Sequence, residues 1–418
     1  ELWKTDGTEG GTVLLKDIRT GPDDSQPDCL TDVNGVLFFR AYTDACGYEL
    51  WKSDGTPEGT VLVRDIHGSG SSSPEALAAV GDVLYFTAEE PVNGRELWKS
   101  DGTEGGTVLV AAVGPGAAGA DYDELTAFDG QLCFTVDDGI SGAELWHSDG
   151  TSLGTQLLAN IAPGAFSSAP NSLTVAGDGL YFTADDASSG RELYVTDGTL
   201  AGTARVADLE PGLAGSDPYG LAAVGGRLYF QAETSACGAE LWRLDGIAAS
   251  PELVMDFVPG AAGSLPSDII DAAGRLFFLA TTAACGEELC SQDTNPPDAT
   301  AIVRADPNPT SAAEVTFTVT FDETVGGVDT GDFVVDTGEK AITGAAVTGV
   351  TGSDDTWTVT VDTGTGEGTI TIDLADDDSI TDWMFNPLGG EGAGNGDHAG
   401  DEAYTIDRTP PVPVLSST

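Results

Sequence analysis

Basic residues are scarce. Sixteen Lys and Arg stand against 69 Asp and Glu, a formal net charge of −53. The imbalance is not confined to a tail: residues 291–418 hold 24 acidic and 3 basic residues, and the first 290 hold 45 and 13. Such a surface repels phosphate backbones, which excludes nucleic acid as a partner. Histidine is scarcer still: His67, His147 and His398 fall in no recurring slot. There is no Gly-x-Ser-x-Gly elbow, His-Glu-x-x-His pair or phosphate loop. The six cysteines form no Cys-x-x-Cys pair, so zinc and thioredoxin-like chemistry lack support. No apolar run approaches the roughly 18 residues of a membrane span. Helical periodicity is missing as well.

Hydrophobic residues, by contrast, make up 40% of the chain, with 15 Phe, 9 Tyr and 7 Trp, enough to fold despite the charge. Glu-Leu-aromatic recurs at 1, 49, 96, 144, 192, 240 and 288, at intervals of 47 or 48 residues, with Tyr194 and Cys290 as the exceptions to Trp. A fixed period of that length marks a repeat architecture. Within 74–114, "EALAAV", "VLYFTAEE", "ELWKSD" and "VLVAAV" read as four short strands separated by "GD", "PVNGR" and "GTEGGT". Four strands per unit predict an all-β fold, a β-propeller whose blades bury both faces against their neighbours. Residues 1–18 supply two strands, five complete units follow, and 267–290 supply three. Six or seven blades fit, and seven is favoured for a longer parent chain.

Residues 298–408 change character. "AEVTFTVTF", "DFVVD", "TWTVTVD" and "GTITIDL" alternate apolar and polar residues at sandwich spacing. The domain reading is therefore a propeller at 1–290, a linker at 291–297, a C-terminal β-sandwich at 298–408 and the start of another linker at 409–418. The chain opens inside a repeat and ends on "DRTPPVPVLSST", so it is expected to be a fragment.

The phrases "ELWKSDGT", "ELWHSDGT" and "ELYVTDGT" resemble the ELWxxDGT-repeat proteins of bacteria, over residues 1–290, departing at "ELWRLDGI" and "ELCSQDTN". "FTVTFDETVGGVDTGDF", "DDDSITD", "NPLGG" and "YTIDRTPP" resemble bacterial Ig-like repeats of surface proteins. The two resemblances imply a secreted or cell-surface location, and further Ig-like modules of the same chain as neighbours.

Asp6, Asp54, Asp101, Asp149, Asp197 and Asp245 sit in the Asp-Gly-Thr turns, where Asp accepts from backbone N–H groups and Gly supplies positive φ. They are read as turn residues. Glu49, Glu96, Glu144, Glu192 and Glu240 open a strand beside a buried Leu-aromatic pair, and buried carboxylates need donors. Bracing by backbone N–H groups or hydroxyls is expected. Cys29 and Cys46 suggest a disulfide, and Cys285 with Cys290 a weaker one, whereas Cys133 reads as core. Asp322, Glu323, Asp376, Asp377, Asp378, Asp382, Asn386 and Asp397 cluster in loops of the second domain, an oxygen-rich set suited to calcium. The alternative for all that Asp is a salt-adapted surface. Together these features predict a non-enzymatic extracellular protein acting in adhesion or in binding a partner or glycan, its stalk stiffened by calcium. A propeller-type carbohydrate-active enzyme and a purely structural spacer are the alternatives.

Overall fold

The computed structural model describes residues 1–114, 116–272, 275–282, 286–293, 296–338, 342–382, 386–390 and 392–409. The chain divides into two compact units, the first made of Glu1–Asp271 and Phe277–Cys290, with Ala272–Leu276 grouped in the second.

In the first unit, apolar runs bounded by Gly and Asp become antiparallel sheets strung along the chain. Residues 28–64, 75–111, 121–159, 171–205 and 219–255 each form one four-stranded sheet in sequence order. Leu2–Lys4 and Val13–Lys16 form a two-stranded sheet, and Ser267–Ala272, Arg275–Thr282 and Gly286–Asp293 a three-stranded one. The first two strands of a sheet meet in a two-residue turn. Asn34-Gly35, Asp129-Gly130 and Gly225-Gly226 are left-handed at both positions, the turn whose twist matches paired strands.

Packing between sheets is two-sided and directional. Leu84, Phe86, Ala88 and Trp98 pack back on Val33, Phe38, Leu50 and Val63 of the preceding sheet. Tyr85, Leu97 and Val110 pack forward on Leu132, Phe134 and Val136 of the next. The same alternation joins Leu145 and Cys133 to Phe182 and Tyr194, and Leu193 and Tyr181 to Phe230 and Leu244. In the phrases at 49, 96, 144 and 192, then, Leu faces the following sheet and the aromatic the preceding one. Trp3, in the first phrase, is 60% exposed. Cys133 is core as expected, and burial pushes its thiol up to about 12.

The sequence did not show a kink in the first strand of each sheet. Register shifts occur between Asp28 and Thr31, Glu75 and Ala78, Asp123 and Thr126, Asn171 and Thr174, and Tyr219 and Ala222. A left-handed residue sits in each kink: Cys29, Ala76, Glu124, Ser172 and Gly220. These are β-bulges, and only one uses the residue that such a backbone favours.

The kink also corrects the Cys29–Cys46 disulfide. Both thiols are free, and Cys46 Sγ lies 3.0 Å from Thr43 Oγ1. Asp28 pairs with Arg40, so the Thr43–Gly47 turn lies about three residues, or ~10 Å, further along the strand. That exceeds disulfide reach. Cys285 lies outside the described residues.

The second unit has a four-stranded sheet of Ala299–Arg304, Glu314–Phe321, Thr356–Asp362 and Ala346–Ser353, and a three-stranded sheet of Phe333–Asp336, Gly368–Leu374 and Tyr404–Ile406. Alternate residues of both enter one core, including Phe317, Val319, Val359, Ile370, Ile372 and Tyr404. Tyr404 is buried, and its hydroxyl donates to Thr316 O at 2.7 Å.

Candidate functional site

The repeated phrase is the first place to look for chemistry, and its polar atoms bond inward. Asp6, Asp54, Asp101, Asp149 and Asp197 each accept from the N–H and hydroxyl of the Thr two residues on, at 2.7–2.9 Å. Those threonines hold the five carboxylates below their ordinary value. A Cβ on Gly59 would lie 2.0 Å from Asp54 Oδ1, so the turn closes tightly on the carboxylate. Asp245 departs, because Ile247 replaces the Thr. Its carboxylate instead pairs with Arg227 at 3.2 Å and Arg243 at 3.8 Å. Across neighbouring sheets, Lys4 donates to Gly55 O at 2.9 Å and Lys99 to Gly150 O at 2.8 Å, so the phrase of one repeat caps the turn of the next.

The recurring Glu side chains are fully buried. Glu144 accepts from Ile161 N, Ala162 N and Ser168 N at 2.9, 3.2 and 3.2 Å, and from Ser168 Oγ at 2.6 Å. Ser72 and Ser216 serve Glu49 and Glu192 in the same way, and Ser264 serves Glu240 through its hydroxyl. In the second complete sheet that serine is Ala120, and the Tyr122 hydroxyl donates to Glu96 instead, at 2.7 Å. The serine stands 23 or 24 residues after its Glu, a fixed interval that the sequence reading missed.

Burial raises Glu49, Glu96, Glu192 and Glu240 above their ordinary 4.5, against the lowering effect of these hydrogen bonds. Between 4.5 and the raised folded value the native state binds the extra proton. The stability from these groups is therefore complete below 4.5 and is lost as pH rises through the folded value. The turn Asp residues work oppositely: their contribution is present above 3.8 and is lost as pH falls through their lowered values. The melting temperature should thus rise from neutral pH toward 4.5 and drop at pH values below 3.8. Scans at matched high salt remove general charge repulsion, and a flat profile there would contradict the assignment to the buried Glu residues.

The acidic loops of the second unit also turn to backbone. Asp376 accepts from Asp378 N, Gly394 N and Gly396 N, and Asp397 from Asp376 N. Asp377 accepts from Ser379 N, Asp378 from Gly392 N, Asp322 from Asp298 N, and Asp382 from Asn386 N and Nδ2. Glu323 is also engaged. Among the described residues no three or more His, Cys, Asp or Glu side chains come together as a metal-binding group.

Arginines at equivalent places in the sheets have different partners. Asp28, Arg40, Glu75, Arg95 and Glu89 form a chain of ion pairs at 2.8–3.4 Å along the first two complete sheets. Two sheets further on, Arg191 repeats Arg95 but stands beside Asn171 where Arg95 has Glu75. It borders a cleft of about 380 Å³ together with Asp217, Tyr219 and Gln231.

No family model matches the chain, and no curated protein does. Solved structures do. The propeller domain of the trilobed protease from Pyrococcus furiosus is similar at 9% identity and a TM-score of 0.38, over 71% of this chain and 92% of that one. Prolyl oligopeptidase B from Galerina marginata is similar at 12% identity and a TM-score of 0.42, over 84% of this chain and 54% of that one. A puromycin-hydrolysing peptidase from Mycobacterium tuberculosis follows at 14% and 0.39, over 71% and 49%. The chain spans about half the length of these two peptidases. At these identities the likeness is one of fold, an all-β propeller. The similar proteins are peptidases and a protease propeller where a surface adhesin was expected, which corrects the adhesive, glycan-binding reading. That reading is withdrawn.

Proposed function

We propose that residues 1–290 are a scaffold propeller of seven blades that performs no reaction itself. The observation that supports this is the inward bonding of the phrase. Its Glu, Asp and Lys side chains brace turns, loops and neighbouring sheets. In this reading the repeat is kin to the ELWxxDGT proteins, residues 298–408 are an Ig-like sandwich, and the module is comparable to a propeller domain within a protease.

A second reading, a propeller-bearing hydrolase acting on glycosides or peptides, is favoured by one feature: the cleft at Arg191 and Asp217 that breaks the repeat. The test uses the whole chain with panels of peptide p-nitroanilides and nitrophenyl glycosides. The scaffold reading expects no release above the buffer blank. Release by the parent chain that disappears in Asp217→Asn would replace it with the hydrolase.

A further inference from the structure

Arg95 and Arg191 occupy equivalent positions, each one residue before the Glu of its phrase. They are anchored alike. Arg95 Nη1 donates to Ser73 O at 3.0 Å and to Thr87 Oγ1 at 3.2 Å. Arg191 Nη1 donates to Ala169 O at 3.1 Å and to Thr183 Oγ1 at 2.8 Å. The rest of the guanidinium differs. Arg95 is closed by Glu75 and Glu89, both at 3.4 Å. At Arg191 the first of these positions is Asn171. The second is Asp185, whose Oδ1 accepts from Ala187 N at 2.7 Å. Among the described residues, no carboxylate lies within ion-pair distance of Arg191.

Among the described residues Arg191 thus has no internal counter-ion, in a chain with 16 basic and 69 acidic residues. A guanidinium keeps its charge at any working pH and offers a planar fork of donors matched to a carboxylate. Arg191 shares its cleft with the amides of Asn171 and Gln231 and with Tyr219, which is 62% exposed. Asp217, whose N–H donates to Arg191 O at 3.1 Å, also lines the cleft and repels a second negative charge, so it selects against polyanions.

We propose that this cleft binds a single organic carboxylate, with Arg191 as its counter-ion, Asn171 and Gln231 pairing the adjoining polar groups, and the Tyr219 ring covering its apolar part. The inference is independent of whether the propeller turns substrate over. The carboxylate can be that of a small organic acid or the free C-terminus of a peptide. One such contact, in a strongly acidic field, corresponds to a Kd of about 1 mM.

Ligand-observed NMR on the whole chain at physiological salt tests it, with hippurate as the small acid, triglycine as the peptide terminus and triglycine amide as the neutral control. One acid should bind saturably and the amide about tenfold more weakly or not at all. Saturation by hippurate alone assigns a small acid, and saturation by triglycine assigns a peptide terminus. Arg191→Gln should abolish binding. Asn171→Glu should do the same by installing the ion pair of the second sheet while keeping the fold. Arg95→Gln, at the already closed position, should leave binding unchanged. No saturable binding of either acid overturns the proposal, as does binding that survives both Arg191→Gln and Asn171→Glu.

Discussion

Glu144→Ala is expected to lower the unfolding free energy of the first unit by roughly 3–5 kcal/mol, because it leaves several buried donors without an acceptor at about 1–3 kcal/mol each. Four donors converge on that carboxylate: three backbone N–H groups and the Ser168 hydroxyl. All belong to the connection that leads to the next sheet, so the loss loosens a passage between sheets and not only one strand. Glu144→Gln should cost about half as much, because one oxygen still accepts while the new NH2 faces donors. Ser168→Ala removes one donor of the four and should cost about 1–2 kcal/mol. Urea denaturation of the three variants gives the order. A Glu144→Ala loss below about 1 kcal/mol would show that the brace is dispensable.

Gly190→Ala should be the second severe change, at roughly 2–4 kcal/mol. Gly190 has φ +71°, and a Cβ there would lie 2.6 Å from Gly215 N. The hairpin before the phrase crosses the connection to the next sheet at this point, and only hydrogen fits between the two backbones. Gly55→Ala is the matched control. Its φ is +84°, but a Cβ there meets nothing within 4 Å. It should show only the left-handed cost of about 1–2 kcal/mol. Equal losses at the two sites, read from chemical denaturation, would remove the crossing as the explanation.

The repeat, its strands and its Asp turns were legible because each has a residue signature: a 48-residue interval, alternating or apolar runs, and Asp-Gly-Thr. The bulge was not, because Cys29, Ala76, Glu124 and Ser172 share no side-chain type. What they share is a backbone state imposed by pairing with the second strand. The false disulfide has the same origin: register, which sequence does not display, places Cys29 and Cys46 apart. The role of the phrase's Glu was anticipated in kind, but its serine partner lay in an interval that went unread. The cleft at Arg191 needed the comparison of equivalent positions in space, since an arginine before Glu-Leu reads the same at 95 and 191. Adhesion was read from the pairing of a propeller with an Ig-like array, and no residue of the phrase carried it.

The forward-facing Leu and backward-facing aromatic of the four phrases between 49 and 194 have a consequence for how the chain is made. Each sheet-to-sheet core between Val33 and Leu244 joins two units adjacent in sequence, so a hydrophobic interface is complete once about 100 residues have emerged. A ribosome delivering this chain releases one finished interface per repeat. The nascent protein exposes only the free faces at the two ends of the growing stack.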